Sequence, residues 1–317
     1  MTNKPGYPIE VDKNGKGVTE AKTRTIKDCT NYGTVELINP SGSTWVPIGG
    51  VVGFPTGTVE NCTNEKSGVV KVSMGGAQTY LGGVYGCTLN AKNNITNCAN
   101  YGKVWFADSA VATTDSFKNT TRSYAGGVSG GYNGGSGNTA IGCVNEGEVI
   151  AEATQTMIVG GVLAAHNGTI TDCANKGNIV VKNAFALEAG VSEIGGIVGY
   201  VNGDLTNCSS YGTITNNSNA GTDAGAILGA QGGAKTVKGG VIDCTIVAPD
   251  SNVGIVLGST RSANVTVTLG AADAPIVISP KTTINGVAVT AADAADANKL
   301  AGFLRAGSLA ITNVVVE

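Results

Sequence analysis

Four carboxylates are the first residues in this chain whose placement suggests chemistry. Glu188 and Glu193 stand just before an Ile-Gly-Gly-Ile-Val-Gly run, and Asp204 and Asp223 lie nearby in neighbouring segments. Two carboxyl groups brought into one groove can act as general acid and base on a saccharide. Elsewhere the acids are dispersed. Asp28, Asp172 and Asp243 each precede a cysteine, a place held by Asn61, Asn97, Asn207 and Gly142 in sister segments. That alternation reads as an Asx turn-capping column rather than a catalytic set. His166 is the single histidine, in an Ala-Ala-His-Asn-Gly-Thr turn, with no Cys or carboxylate at ligand spacing. A solvated turn residue is expected there, not a zinc site. The glycine-rich stretch 130–138 lacks the Gly-Lys-Ser/Thr of a phosphate loop. No catalytic residue, metal or cofactor is assigned.

Binding chemistry has better candidates. Tyr32, Tyr101 and Tyr211 share one repeat position with Glu65, Glu146 and Lys176. A position that accepts Tyr, Glu or Lys faces solvent, and exposed aromatic rings suit sugar stacking. Trp105, Phe106 and Phe117 fall in the longest insertion, 105–124, and Trp45 falls in 37–47. Long loops on a regular scaffold are favoured sites of function. Together these loops are expected to frame a groove, with Trp45, Trp105 and Phe106 joining the tyrosines as ligand-binding residues.

The elements that position these groups come from a repeat. Seven of the eight cysteines, Cys29, Cys62, Cys98, Cys143, Cys173, Cys208 and Cys244, recur at spacings of 33, 36, 45, 30, 35 and 36. Two residues after them stand Asn31, Asn64, Asn100, Asn145 and Asn175, then Ser210, and a Gly-x-Val/Ile run follows. Between these blocks recurs a second run, such as IGGVVG, LGGVYG, AGGVSG and IGGIVG. Each unit therefore supplies three short apolar runs of strand length. A propeller blade needs about 40 to 50 residues, and the 30 between Cys143 and Cys173 are too few.

The expected fold is all-β: a right-handed parallel β-helix of about seven coils over 29–258. An irregular entry segment is expected over 1–28. A cap of strands and one helix is expected over 259–317, where Thr290 and Asp293 form a capping box for a helix reaching Leu304. Stacked coils lie about 4.8 Å apart, while a disulfide holds its Cβ atoms near 3.8 Å. The seven cysteines are thus expected as a ladder of free thiols, the asparagines as an amide ladder, and Cys87, outside the column, at the surface.

Composition agrees with such a scaffold. Glycine occurs 48 times in 317 residues, without a three-residue period, and only 14% of residues are charged. A net charge of −3 gives no basic face for nucleic acid, and no apolar run reaches transmembrane length. No signal-like apolar segment follows Met1.

The succession of Gly-Gly-x-x-Gly, Asn-Cys or Asp-Cys, and Gly-x-Val/Ile over 48–258 resembles the GLUG-motif repeats of bacterial surface proteins. The stretch from Ile284 to Asp293 is similar to segments closing such arrays in Gram-negative gut bacteria. The resemblance implies an exported or outer-surface protein with an adhesive or glycan-facing role. It implies glycans or surface proteins as partners and carries over no catalytic residues. A polysaccharide lyase or glycosidase working in a flank groove, and a structural spacer of a larger surface protein, are the competing readings.

Overall fold

The computed structural model describes residues 24–38, 46–73, 78–88, 93–107, 122–132, 137–152, 156–182, 192–218, 222–233 and 235–317. Among these residues the chain is a parallel β-solenoid whose coils stack into five sheets, three of nine strands and two of seven. One coil shows the plan. Gly168–Thr171, Ala174–Asn175, Ile179–Lys182, Ser192–Gly195 and Val198–Val201 give one strand to each sheet in turn, here named first to fifth.

Five strands arise from three apolar runs because two of the runs are broken at corners. The corner before the cysteine turns on a left-handed residue, with φ of 56° at Asp28, 52° at Asn61, 51° at Asn97, 64° at Gly142, 53° at Asp172 and 54° at Asn207. Asp, Asn and Gly tolerate that conformation best, so backbone geometry selects the residue types there. Side-chain bridging is secondary, as in Asn207 Nδ2 donating to Asp172 Oδ1 at 2.6 Å. Asp243 does not belong to this column. Lys238 pairs with Thr206 and Ile242 with Ser210, which brings Gly239, at φ 67°, opposite Asn207.

The same register corrects the thiol ladder. Cys29, Cys62, Cys98, Cys143, Cys173 and Cys208 stack in one interior column, all as free thiols. Each donates to the carbonyl two residues before it, for example Cys62 Sγ to the Glu60 oxygen at 3.3 Å. The next rung holds Gly240. Cys244 stands four residues further along, level with Gly212, buried beside the Ser210 hydroxyl. Two consecutive glycines, Gly239 and Gly240, make the corner in this unit and displace its cysteine. Cys87 is also corrected: it lies in the strand Tyr85–Thr88 and is wholly buried.

An amide column runs beside the thiols. Asn31, Asn64, Asn100 and Asn145 each donate from Nδ2 to Oδ1 of the next asparagine, at 2.7, 2.7, 2.7 and 2.8 Å, ending on Asn175. Asn31, Asn100, Asn145 and Asn175 also donate to the carbonyl two residues on, as Asn145 does to Gly147 at 3.0 Å. The fourth-to-fifth corner faces this column, and an added Cβ on Gly83 would lie 2.5 Å from Asn100 Oδ1. Where the column changes to Ser210 and then Ile242, the corner residue changes from Gly196 to Ala226.

In the middle coils the fourth and fifth sheets are buried on both faces, as in Thr156–Gly160 and Leu163–His166. Their outward faces close on each other instead of meeting solvent. Glycine makes this approach feasible: a Cβ on Gly229 of the fifth sheet would lie 2.5 Å from the Ile194 nitrogen of the fourth. The result is a narrow crevice along the solenoid.

The C-terminal segment continues the solenoid rather than leaving it. Thr266–Leu269, Ile276–Ile278 and Thr283–Ile284 join the first three sheets, and Ala301–Leu304, Ser308–Ile311 and Val314–Val316 join the fifth, first and second. Two single-turn helices, Ala291–Ala294 and Ala297–Leu300, occupy the place of a fourth-sheet strand. The Thr290 capping box forms as expected, with Thr290 N donating to Asp293 Oδ2 at 2.8 Å. The helix does not extend to Leu304, because residues 301–304 pair with Leu257–Thr260 and bury Ala301. At the other end Arg24–Lys27 already pairs with Gly57–Glu60, so the described part of the entry segment is strand.

Candidate functional site

The residue after each ladder asparagine must point outward, because the asparagine points inward and its neighbour alternates. Backbone bonds hold these residues in a row. Tyr101 N donates to the Asn64 oxygen at 2.7 Å, Glu146 N to Asn100 at 2.8 Å, Lys176 N to Asn145 at 2.7 Å and Tyr211 N to Asn175 at 2.8 Å. Tyr32 is 67% and Tyr211 41% exposed, and Tyr101 is half-buried. The three rings do not touch. Glu65 separates Tyr32 from Tyr101, while Glu146 and Lys176 separate Tyr101 from Tyr211, with Lys176 Nζ to Glu146 Oε1 at 2.8 Å. That hydrogen bond holds the Lys176 ammonium above its ordinary pKa, with the two tyrosines adding weakly.

The outer face of the third sheet carries the row inward. In Lys103–Phe106 alternate side chains face opposite ways. Trp105 is outward and half-buried, whereas Phe106 is wholly buried in the core and offers no surface to a ligand. Trp105 Nε1 donates to Glu152 Oε2 at 2.8 Å, and the Lys71 and Lys103 ammonium groups lie 4.9 and 4.5 Å from the ring centroid. Lys182 Nζ reaches Glu152 Oε1 at 2.7 Å, and Lys71 Nζ reaches Glu36 Oε1 at 3.1 Å. Lys182, then Trp105, hold the Glu152 carboxyl below its ordinary range. Ser73, then Lys71, do the same for Glu36. One connected set of both signs around one indole thus spans five consecutive strands of the sheet. Trp45, Phe117 and most of the two expected groove-forming loops lie outside the described residues.

The suspected carboxylates part company. Asp204 lies on the first sheet's outer face, accepting from Thr236 N at 2.8 Å, and Glu188 lies outside the described residues. Glu193 and Asp223 are adjacent in register on the fourth sheet, inside the crevice, each 1% exposed. Arg261 clamps both oxygens of Glu193 through Nε and Nη2, and its guanidinium lies 4.1 Å from the Tyr200 ring centroid. Burial raises both carboxyls above their ordinary range, against the pull of Arg261. Tyr124 stacks on Tyr80 in the same column, centroids 4.3 Å apart. This arrangement is a buried ion pair with an aromatic lining, closed to a substrate. Composition alone cannot reveal Arg261 here, since it is 68 residues from Glu193 and only coil register brings them together.

His166 is likewise corrected: it ends the strand Leu163–His166, is 5% exposed, and burial pushes its pKa down to about 4. Among the described residues no group of three His, Cys, Asp or Glu side chains could hold a metal ion, and no helix is long and apolar enough to cross a membrane. The chain matches no family model, no curated protein and no solved structure.

Proposed function

We propose that this protein is a non-catalytic binding or adhesion module, acting outside the cell or at its surface. Its ligand is received on the outer face of the third sheet and the tyrosine-bearing corner beside it. The observation that carries this reading is the in-register display of Tyr101, Lys103, Trp105, Glu152 and Lys182 on a rigid ladder. Such a display fits a ligand that offers hydroxyls to the charged heads and a flat apolar face to the rings, which is the chemistry of a saccharide. The two ammonium groups over Trp105 keep the indole covered until a ligand displaces them. Rigid presentation lowers the ordering cost of binding. The resemblance to GLUG-motif surface arrays supports the same reading, with a host or microbial glycan, or a surface protein, as partner.

The test is a screen of the purified chain on glycan and matrix-protein arrays, beside Trp105→Ala and the double variant Tyr101→Ala/Tyr211→Ala. Binding by the wild type that falls in these variants, while their circular dichroism stays unchanged, is the expected result. No binding by the folded wild type to either array sinks the reading and leaves a structural spacer.

A further inference from the structure

The outer face of the first sheet carries a shallow groove of about 330 Å³ across three consecutive strands, Gly168–Thr171, Leu205–Thr206 and Lys235–Lys238. Strand alternation sets its lining. Ile170, Leu205 and Val237 pair in register and are buried in the core, so the residues on either side of each face outward. Two columns result, with Thr169, Asp204 and Thr236 in one and Thr171, Thr206 and Lys238 in the other.

Asp204 is held in place from two sides. Its backbone oxygen accepts from Ile170 N at 3.0 Å and its Oδ1 from Thr236 N at 2.8 Å, which leaves Oδ2 without a partner among the described residues. Elsewhere outward lysines meet a glutamate one rung away, as Lys27 meets Glu60 at 3.1 Å and Lys176 meets Glu146 at 2.8 Å. Lys238 instead stands between Thr206 and Gly270 and meets no carboxylate among the described residues. The hydroxyls of Thr169, Thr171, Thr206 and Thr236 likewise bond no described residue. Strand propensity accounts for outward threonines. It does not account for a groove that sets a fixed carboxylate and an unpaired ammonium among them.

We propose that this groove is a second binding site, for a neutral saccharide whose adjacent hydroxyls bond the Asp204 carboxylate. A carboxylate accepts from two neighbouring hydroxyls at once, and the Lys238 ammonium donates to a further sugar oxygen. Threonine hydroxyls, like those of a sugar, both donate and accept, and their methyl groups pack against the C–H positions of the ring. The volume stands at the lower end for small-molecule sites and takes one or two sugar units. The groove lies on a different sheet from Trp105, so the two sites fail independently.

The experiment titrates the full chain and its Trp105→Ala variant with mannotetraose, cellotetraose and xylotetraose, by calorimetry and ligand-observed NMR. The expected result is that at least one tetraose binds Trp105→Ala more tightly than about 10 mM. Asp204→Asn keeps an acceptor for Thr236 N but loses the charge, and in that background it weakens binding about tenfold, the loss of one charge-assisted contact. Thr206→Val keeps the shape and the strand propensity but loses the hydroxyl, and weakens binding about threefold. Both leave the unfolding midpoint close to that of their parent. The proposal is overturned if no tetraose binds Trp105→Ala at that level, or if Asp204→Asn and Thr206→Val leave the binding intact. Binding that Trp105→Ala alone abolishes belongs to the third sheet and also overturns it.

Discussion

Gly127 and Asn145 face each other across the interior, where a methyl group on the glycine would lie 2.4 Å from the asparagine amide. The amide ladder and the Gly-Gly corner are therefore one device. The ladder satisfies buried polar groups coil by coil, and the glycine leaves room for it. Gly127→Ala would also press its methyl to 2.1 Å from the Gly161 carbonyl oxygen. A backbone clash does not relax by a side-chain rotation, so a loss of about 3 kcal/mol or more is expected in urea unfolding.

Asn145→Ala removes a donor to Asn175, a donor to Gly147 and the acceptor of Asn100, all buried. The expected loss is about 2 to 4 kcal/mol, because partners are left unsatisfied. Asn31→Ala, at the exposed end of the same ladder, should cost about 1 kcal/mol or less. Equal losses at the two positions would show that the ladder does not act through burial.

Thiol chemistry should separate the one accessible cysteine from the rest. Burial pushes the Cys98 and Cys244 thiols up to about 12, and hydrogen bonding from the neighbouring thiol pushes Cys173 and Cys208 upward. Reactivity follows thiolate and exposure. Native protein should release colour from a disulfide reagent at no more than one site, Cys29, and at all eight after denaturation. Rapid native labelling of Cys87 would contradict its burial.

His166 predicts an acid limb in stability. Below its ordinary value of 6.5 the unfolded imidazole takes up a proton, while the native one does so only near 4. Stability is therefore lost as pH falls from 6.5 towards 4, by about 3 kcal/mol in total. Glu193 and Asp223, with raised values, work in the opposite direction, favouring the native state as pH falls. The difference between wild type and His166→Gln cancels the carboxylates. A pH-independent difference would remove the imidazole from the argument.

Arg261→Ala leaves Glu193 buried without its partner and should cost about 3 to 5 kcal/mol. Adding Glu193→Gln removes the stranded charge and should recover much of that loss. A thermal unfolding series on the two single variants and the double measures the coupling, and additivity would dissolve the ion pair as a stabilising unit.

The solenoid, the amide ladder and the solvent-facing tyrosine row are legible in the repeat, since each is a statement about period. Residues that recur at equivalent places in every unit stack, and side chains one residue apart in a strand face opposite ways. The capping box at Thr290 was legible for a similar reason, as a contact closed within one turn. Whatever depends on register between coils emerges only on folding. The two glycines before Val241 move Cys244 out of the thiol column although its spacing of 36 residues looks regular. The solenoid interior takes in His166, in register with the core residue Val201, and folding of the fourth sheet onto the fifth buries Cys87. The same closure brings Arg261 to Glu193 across 68 residues, a distance over which a repeat pattern specifies the rung but not the partner.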